Sequence, residues 1–302
     1  MMYGSREMFD YARCSTCGGL QIIEIPSDLA RHYPSSYYSM QPGKEPEPAK
    51  GLKGMLTRWY CRSAILRPNV VAERLVRNLL PPPYDFLQVG RYLIEARLHG
   101  TDARILDVGC GASPSRLAAI QRCGFTAVEG LDPFIVEDAD YYGVPLYRRT
   151  LAEHLGLYDL VMFHHSLEHV PDPFETLRHA ARLLRVGGTC LVRIPVMGTY
   201  HWQRFGINWV ETDAPRHLHL MTTESIRLLA RRVGLQVLKT IWDSTPLELA
   251  ASVRYERGIS LRQTPRITDG FTESEMIVFT QQTHDLNREG NAGRACFYLG
   301  HV

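Results

Sequence analysis

The sequence predicts a doubly wound α/β fold, in which helices cover both faces of a largely parallel sheet. From about residue 103 onward, short apolar runs alternate with segments of helical periodicity. Strands that are apolar on both faces are typical of a parallel sheet covered on both sides. A glycine-containing turn, GCG at 109–111, joins the first such strand to the next helix. In folds of this kind, ligands bind at the carboxyl ends of the strands.

Each element of this fold follows from a local pattern. Prolines at 81–83 end the predicted helix 70–80, and glycines at 187 and 188 end the predicted helix 172–184. A threonine at 222 or 223 caps the predicted helix 223–233. The predicted strands are 103–108, 126–131, 144–147, 158–163, 189–196, 235–242 and 295–299. The predicted helices are 70–80, 86–98, 113–123, 172–184 and 223–233.

Length and composition exclude several classes of protein. The chain has 302 residues, 45% hydrophobic and 22% charged, with a formal net charge of +2. This charge argues against a bulk nucleic-acid binder, and no apolar run approaches the roughly 18 residues of a membrane span. The polar N-terminus and seven scattered cysteines predict a cytoplasmic protein with no signal peptide, disulfide framework or membrane partner. Oligomeric state leaves no signal in the sequence.

Changes in composition divide the chain into four segments. Residues 1–35 form a knuckle-like segment, and 36–101 form a linker and helical lead-in, with the Pro- and Ser-rich stretch 34–53 as the linker. Residues 102–245 form the core domain, including a polar and aromatic lid at 197–222. Residues 246–302 form a C-terminal extension that completes the sheet.

The turn after the first strand indicates which ligand the core binds. A dinucleotide fingerprint would need a third glycine where Pro114 stands. Asp107, two residues before Gly109, would repel a pyrophosphate but suits a ligand with a cationic end, such as S-adenosylmethionine. Asp132 ends the second strand, where a carboxylate can accept the hydroxyls of a ribose. These residues argue against an NAD-dependent oxidoreductase, which is the less favoured alternative. A second alternative is a non-catalytic binding protein that keeps the fold.

Four segments carry a family resemblance: ILDVGCG (105–111), VEGLDP (128–133), YDLVMFHHSLEHVPDP (158–173) and LLRVGGTCLVRIP (183–195). They resemble the class I S-adenosylmethionine-dependent methyltransferases. The resemblance implies a Rossmann-like sheet of seven strands, the last antiparallel, and methyl transfer to a small-molecule acceptor by in-line displacement. The cofactor contacts that we expect are Asp107, Gly109, Cys110, Gly111, Asp132, Pro133, Thr150, Leu151 and His164.

The residues after the fourth predicted strand supply candidate catalytic groups. A hydroxyl acceptor benefits from a general base with a pKa near neutrality, and histidine comes closest to that requirement. His165 is the first candidate, with His169 and Glu168 beside it. The alternative is that His169 and Glu168 only hydrogen-bond the loop or cap the next helix. Because side chains alternate along a strand, one of His164 and His165 could simply pack.

The predicted lid suggests an acceptor pocket. Trp209 could stack on a sugar, Arg216 could bind a phosphate, and His217 could contact the acceptor. The stretch 209–220 resembles a methyltransferase branch that acts on sugars, polysaccharides or related metabolites. The alternative is a lid whose aromatic side chains only cover the core.

The N-terminal cysteines form half of a zinc knuckle. Zinc usually takes four ligands from two such pairs, and Cys14 and Cys17 have no second CxxC pair in the sequence. His32 or Cys61 could substitute, but nothing in the spacing requires it. We therefore predict no metal site.

Overall fold

The central feature of the computed structural model, which describes residues 4–34 and 51–302, is a twisted sheet between two helical layers. The strands in these ranges are β1 (Tyr11–Arg13), β2 (Leu20–Ile22), β3 (Arg104–Val108), β4 (Ala127–Leu131), β5 (Ala139–Asp140), β6 (Pro145–Tyr147), β7 (Tyr158–His164), β8 (Leu184–Pro195), β9 (His219–Leu220), β10 (Leu235–Trp242) and β11 (Arg294–His301). The α-helices in these ranges are α1 (Gly51–Leu66), α2 (Val71–Asn78), α3 (Tyr84–Glu95), α4 (Ser115–Arg122), α5 (Pro173–Leu183), α6 (Tyr200–Phe205), α7 (Thr223–Arg232), α8 (Pro246–Glu256) and α9 (Glu273–Glu289).

The main sheet confirms the doubly wound prediction. Its strand order is β10-β11-β8-β7-β3-β4-β6-β5, and the neighbouring pairs from β8 through β6 are parallel. Successive residues of β3 enter opposite cores: Ile105 packs with α1, α3 and α4, whereas Leu106 packs with α5 and α7. Burial on both faces is the reason that these strands lack polar alternation.

The strand count of seven is wrong, because the sheet has eight strands in the described part of the chain. The additional strand is β5, whose two residues pair antiparallel with β6 at the sheet edge. A two-residue strand is too short to leave an alternation pattern in the sequence. The prediction of an antiparallel last strand is confirmed, since β11 runs antiparallel to both β8 and β10 and lies between them.

Several helices were not predicted, and α8 shows why. Its buried residues include Glu248, Ser252 and Arg254 as well as apolar side chains, so it carries no clean apolar stripe. The helices α1, α6 and α9 were missed as well. Of the predicted linker at 34–53, residues 51–53 begin α1, and 35–50 lie outside the described residues.

The N-terminal segment forms a small second sheet with the lid. A separate zinc knuckle is not confirmed. β1 and β2 form a hairpin that pairs with β9 of the lid, and Thr222 Oγ1 donates to the Cys17 carbonyl at 2.7 Å. Cys14 and Cys17 lie in the hairpin turn as free thiols. Across residues 4–34 and 51–302, no third metal-binding side chain joins them.

Candidate functional site

The glycine turn predicted to hold a cofactor lies between β3 and α4. Gly109 and Gly111 have φ angles of 74° and 69°, in the region that favours glycine. A Cβ on Gly109 would lie 2.5 Å from the Cβ of Ser166, so the turn contacts the loop after β7. Cys110 packs against Gly130, where an added Cβ would meet its sulfur at 2.6 Å. The turn therefore needs both its backbone conformation and its close packing.

Asp107 is buried at the base of this turn with half of its carboxylate unpaired. Arg116 Nη1 donates to Oδ2 at 2.5 Å, whereas Oδ1 has no hydrogen-bond partner. Burial raises the pKa of Asp107, and the Arg116 guanidinium opposes that shift. A buried acceptor without a donor is costly, so this oxygen is suited to a cationic or N–H group of a ligand.

Asp132 closes β4 beside the same turn. Its Oδ2 accepts from the Gly111 N–H and its Oδ1 from the Phe134 N–H, both at 2.9 Å. Burial raises the pKa of this carboxyl, while the two N–H groups lower it. A carboxylate oxygen can accept two hydrogen bonds. Each oxygen of Asp132 therefore retains capacity for a hydroxyl donor, whereas the neighbouring Pro133 is exposed.

The predicted adenine border lies just after β6. Leu151 is buried, and Thr150 donates from its amide and its hydroxyl to Glu153 Oε2 at 2.9 and 2.7 Å. These bonds place Glu153, which the sequence analysis did not select, in the turn that follows β6. The signal that could have found it is a Thr-x-x-Glu pattern, which is typical of a capping box.

His164 is the last residue of β7 and His165 follows it, and the two side chains have different surroundings. The His164 ring packs edge-on against Tyr92, with 4.7 Å between ring centroids, and its Nε2 has no partner. His165 adopts a φ of 54° and places Nδ1 3.2 Å from Glu168 Oε1. Burial is the main reason that the pKa of each histidine lies well below its ordinary value. Burial therefore favours the neutral form of both rings.

Glu168 is the buried centre of a cluster of histidines. It is 1% exposed, its Oε2 has no partner, and burial raises its pKa well above the ordinary value. His169 donates from Nδ1 to the Arg216 carbonyl at 2.8 Å, and His217 donates from Nδ1 to the Glu211 carbonyl at 2.7 Å. In both rings the remaining lone pair is therefore on Nε2.

The two rings of this cluster meet edge-to-face, with 4.7 Å between the centroids of His169 and His217. Burial lowers the pKa of His169 to about 3 and also lowers that of His217. One ligand atom from each of Glu168, His169 and His217 lies within 4.8 Å of the others, so these three side chains could hold a metal ion. The tertiary structure thus joins residues of the β7 loop to a residue of the lid.

Two predicted acceptor contacts in the lid are internal, which corrects the sequence analysis. Trp209 is fully buried in a cluster with Phe205 and Leu249, so its indole is not a stacking platform at the surface. Arg216 is 4% exposed, pairs with Asp213 and donates to the His32 carbonyl at 2.9 Å. A phosphate would have to displace these internal partners, because tertiary contacts already use the donors of the guanidinium.

A buried ion network beside the cluster was missed by the sequence analysis. Arg193 of β8 donates to Asp243 Oδ2 at 2.6 Å, and Arg294 of β11 lies 3.4 Å from Asp243 Oδ1 and 3.0 Å from Glu248 Oε1. Burial alone would raise the pKa of Asp243, but the two guanidiniums outweigh it and hold that pKa below its ordinary value. The available signal was an arginine inside an apolar strand, LVRIP.

Comparison with known proteins defines the class of this chain. A family model described as a methyltransferase domain matches residues 84–240, which is more than half of the sequence. The chain belongs to that family. The matched region is thus a methyltransferase domain of the class that uses S-adenosyl-L-methionine as its cofactor.

Curated relatives match shorter stretches. The "Ubiquinone biosynthesis O-methyltransferase" of Xanthomonas oryzae pv. oryzae (strain PXO99A) is 38% identical over 110 residues, which is 32% of this chain and 44% of that protein. The chain thus spans less than half of the length of this relative. The protein of the same name from Nitrosospira multiformis is 29% identical over 177 residues, which is 51% of this chain and 71% of that protein.

Solved structures are similar at low identity. A SAM dependent methyltransferase from Archaeoglobus fulgidus matches with a TM-score of 0.46 and 18% identity, covering 76% of this chain and 99% of that one. An O-methyltransferase from a trans-AT PKS multienzyme of Brevibacillus brevis, in complex with S-adenosyl-L-homocysteine, matches with a TM-score of 0.44 and 12% identity, covering 88% and 84%.

The residues around the glycine turn fit S-adenosylmethionine. The unpartnered Oδ1 of Asp107 offers a buried anionic acceptor for an ammonium group. Asp132 has remaining acceptor capacity for two ribose hydroxyls. The close contact of Gly109 with Ser166 leaves no room for a side chain in the turn. All three features lie at the carboxyl ends of β3 and β4, where this fold binds ligands.

Proposed function

We propose that the protein transfers a methyl group to a hydroxyl oxygen of a small-molecule acceptor, and that His165 is the general base. The observation that carries this proposal is the position of His165 directly after β7, where its Nδ1 lies 3.2 Å from Glu168 Oε1 and the adjoining Ser166 packs on the glycine turn. The name of the curated relatives, an O-methyltransferase, supports oxygen rather than nitrogen or carbon as the nucleophile.

The site residues have separate parts in this reaction. Bound S-adenosylmethionine supplies an electrophilic methyl group on a sulfonium, which the acceptor oxygen attacks in line. With Glu168 as the carboxylate, His165 donates from Nδ1–H to Oε1, and Nε2 is then the ring atom that takes the hydroxyl proton. Asp107 and Asp132 bind the donor, and much of the rate comes from the orientation that they impose. Thr150, Leu151 and His164 border it in the same proposal.

The acceptor lies, in this proposal, between the β7 loop and the lid. The Nε2 lone pair of the partly exposed His169 can accept a hydrogen bond from an acceptor hydroxyl, because the Arg216 carbonyl holds its Nδ1 proton. His217 is 4% exposed and packs against the His169 ring. A sugar or polysaccharide precursor is one acceptor of this kind. The internal positions of Trp209 and Arg216 remove the stacking and phosphate contacts that first suggested it.

Calorimetric titration with S-adenosylmethionine and its demethylated product tests the donor site. We expect Asp107→Asn to weaken binding at least tenfold, since it removes the charge opposite the ligand ammonium, about 1.4 kcal/mol or more. Asp285→Asn, a surface carboxylate on α9, is the matched control and should bind as the wild type does. Equal affinity of the wild type and Asp107→Asn would refute the assignment.

The base is tested once a mass increase of one methyl group in a metabolite screen has identified an acceptor. We expect His165→Ala to lower kcat by about 10²-fold or more at saturating cofactor, whereas the exposed His284→Ala keeps the full rate. A full rate for His165→Ala would exclude it as the base. Tight donor binding without any methyl transfer would favour a binding protein, and a nicotinamide titration with measurable heat would favour an oxidoreductase.

A further inference from the structure

The helix α2 is oriented with its apolar side toward solvent. Val71 and Leu75 and the C-cap residue Leu79, four residues apart and therefore on one face, are 70%, 62% and 83% exposed. Two of its polar residues face the protein instead: Arg77 Nη1 donates to Ser63 Oγ at 2.5 Å, and Glu73 pairs with Arg67 at 3.3 Å. No residue of α2 is buried, so this helix contributes nothing to the apolar core.

The first half of α1 exposes a second apolar stripe. Leu52, Met55 and Leu56 are 72%, 62% and 50% exposed, and the half-buried Trp59 follows at helical spacing. A groove of about 480 Å³ runs beside it. The groove is lined by residues of α1, by the start of α2 and by the 101 and 124 loops, and its charged side chains are Arg58, Arg62, Arg67 and Glu73.

Positive charge is concentrated on the same helices. Residues 51–83 contain six basic side chains and one acidic side chain, although the whole chain has a net charge of only +2. Arg58, Arg62 and Arg74 are exposed among the apolar residues. Apolar stripes with Trp or Leu, bordered by arginine, are the pattern of helices that lie in a membrane interface. Basic residues there add attraction to anionic lipid headgroups.

We propose that α1 and α2 dock the protein onto the surface of an anionic lipid membrane. The apolar stripes would enter the acyl boundary, and the arginines around the groove would contact lipid phosphates. A second copy of this chain is a poorer occupant, because a two-fold contact would place the same excess of positive charge on both sides. The sequence analysis expected no membrane partner on the basis of spanning segments, and among the described residues no helix is long and apolar enough to cross a bilayer. Peripheral docking needs no such helix.

Vesicle co-sedimentation of the full chain tests this proposal without cofactor or acceptor. We expect binding to vesicles of phosphatidylglycerol and phosphatidylcholine, weaker binding to phosphatidylcholine alone, and loss of binding at high salt. Leu75→Glu should weaken partitioning about tenfold or more, since it places a charge in the apolar stripe that enters the acyl boundary. The double variant Arg58→Gln, Arg62→Gln should weaken binding to the anionic vesicles only. Both positions are exposed, so neither change removes core packing.

Ile277→Glu is the matched control, because Ile277 is also 62% exposed but lies on α9, and this variant should bind as the wild type does. Equal binding of Leu75→Glu and wild type would overturn the proposal, as would failure of the wild type to bind anionic vesicles. A wild-type dimer in sedimentation velocity that Leu75→Glu converts to a monomer would assign the stripe to a second copy instead. Donor binding does not enter these measurements, so their outcome is independent of the proposed methyl transfer.

Discussion

At the residue scale, the proposed reaction centre contains three residues with positive φ angles. Gly109 and Gly111 adopt positive φ angles, and so does His165, where a non-glycine residue rarely does. The His165 turn brings its ring to Glu168 within one short 3₁₀ turn at 167–169. Strained positions of this kind persist only where surrounding contacts hold them. Here the contact is Ser166 packed on Gly109 and donating to the Val108 carbonyl at 2.7 Å.

The first prediction concerns Gly109→Ala. The new Cβ would meet Ser166 at 2.5 Å in addition to the cost of a positive φ. We expect a loss of about 2–4 kcal/mol in the free energy of unfolding and weaker donor binding. Urea denaturation and calorimetry measure the two effects.

Gly187→Ala separates the two costs of that change. Gly187 has a similar φ of 81°, but nothing lies within 4 Å of its added Cβ. This variant should lose only about 1–2 kcal/mol, the cost of the left-handed conformation, and should bind the donor normally. If both alanine variants lost the same stability, the contact with Ser166 would have no energetic weight.

At the element scale, helix caps connect the lid to the N-terminal segment. Thr222 caps α7, accepts from the Ser225 N–H at 3.1 Å and also donates to the Cys17 carbonyl. Thr272 caps α9 with the same capping-box geometry, but its hydroxyl stays within the helix and donates to Glu275. The pair therefore differs by one tertiary hydrogen bond.

The second prediction compares Thr222→Ala with Thr272→Ala. Loss of either cap costs about 1 kcal/mol. Loss of the part-buried bond from Thr222 to Cys17 adds about 1 kcal/mol, whereas the bond from Thr272 to Glu275 is exposed and water replaces it. We expect Thr222→Ala to be the more destabilising variant, by about that second amount, in urea denaturation. Equal losses would mean that the N-terminal hairpin contributes nothing to the stability of the lid.

Elements with a strong local pattern were predictable. The amphipathic α5 and α7 and the apolar β10 lie within a residue or two of their predicted bounds. Elements whose formation depends on contacts with other elements were not predictable. β9 has two residues and exists because β2 pairs with it, and α8 buries charged residues that only the ion network satisfies.

At the scale of the whole molecule, the buried ion network joins β8, the end of β10, β11 and α8 beside the site. Its centre, Asp243, is 7% exposed and pairs with both Arg193 and Arg294. Removing one partner of a buried pair costs more than the pair itself contributes, because the other charge is left in the interior. The network therefore holds the sheet edge to the C-terminal helices.

The third prediction is the pH dependence of Asp243→Asn. At pH 7 we expect a loss of about 3 kcal/mol in unfolding free energy. Because the folded-state pKa of Asp243 is lowered, its contribution is present above the unfolded pKa of about 3.9 and is lost as pH falls through the folded pKa. The difference between wild type and variant should therefore shrink as pH is lowered from 6 toward 3.

Urea titrations at several pH values measure this difference. Asp285→Asn, whose carboxylate is on the surface of α9, should differ little from the wild type at any of them. A wild-type advantage over Asp243→Asn that stays constant down to pH 3 would contradict the assigned pairing.

Local sequence patterns were enough to predict the doubly wound architecture and to select the residues of the proposed donor site. Apolar runs identify buried strands, and Asp107, Gly109 and Gly111 share a single turn. The arrangement of the proposed acceptor side depends on tertiary contacts instead. His217 and Glu168 are 49 positions apart and meet because the lid folds over β7, while Trp209 and Arg216 are buried inside that lid. Sequence patterns report the periodicity of one element, whereas burial and pairing depend on which elements pack together.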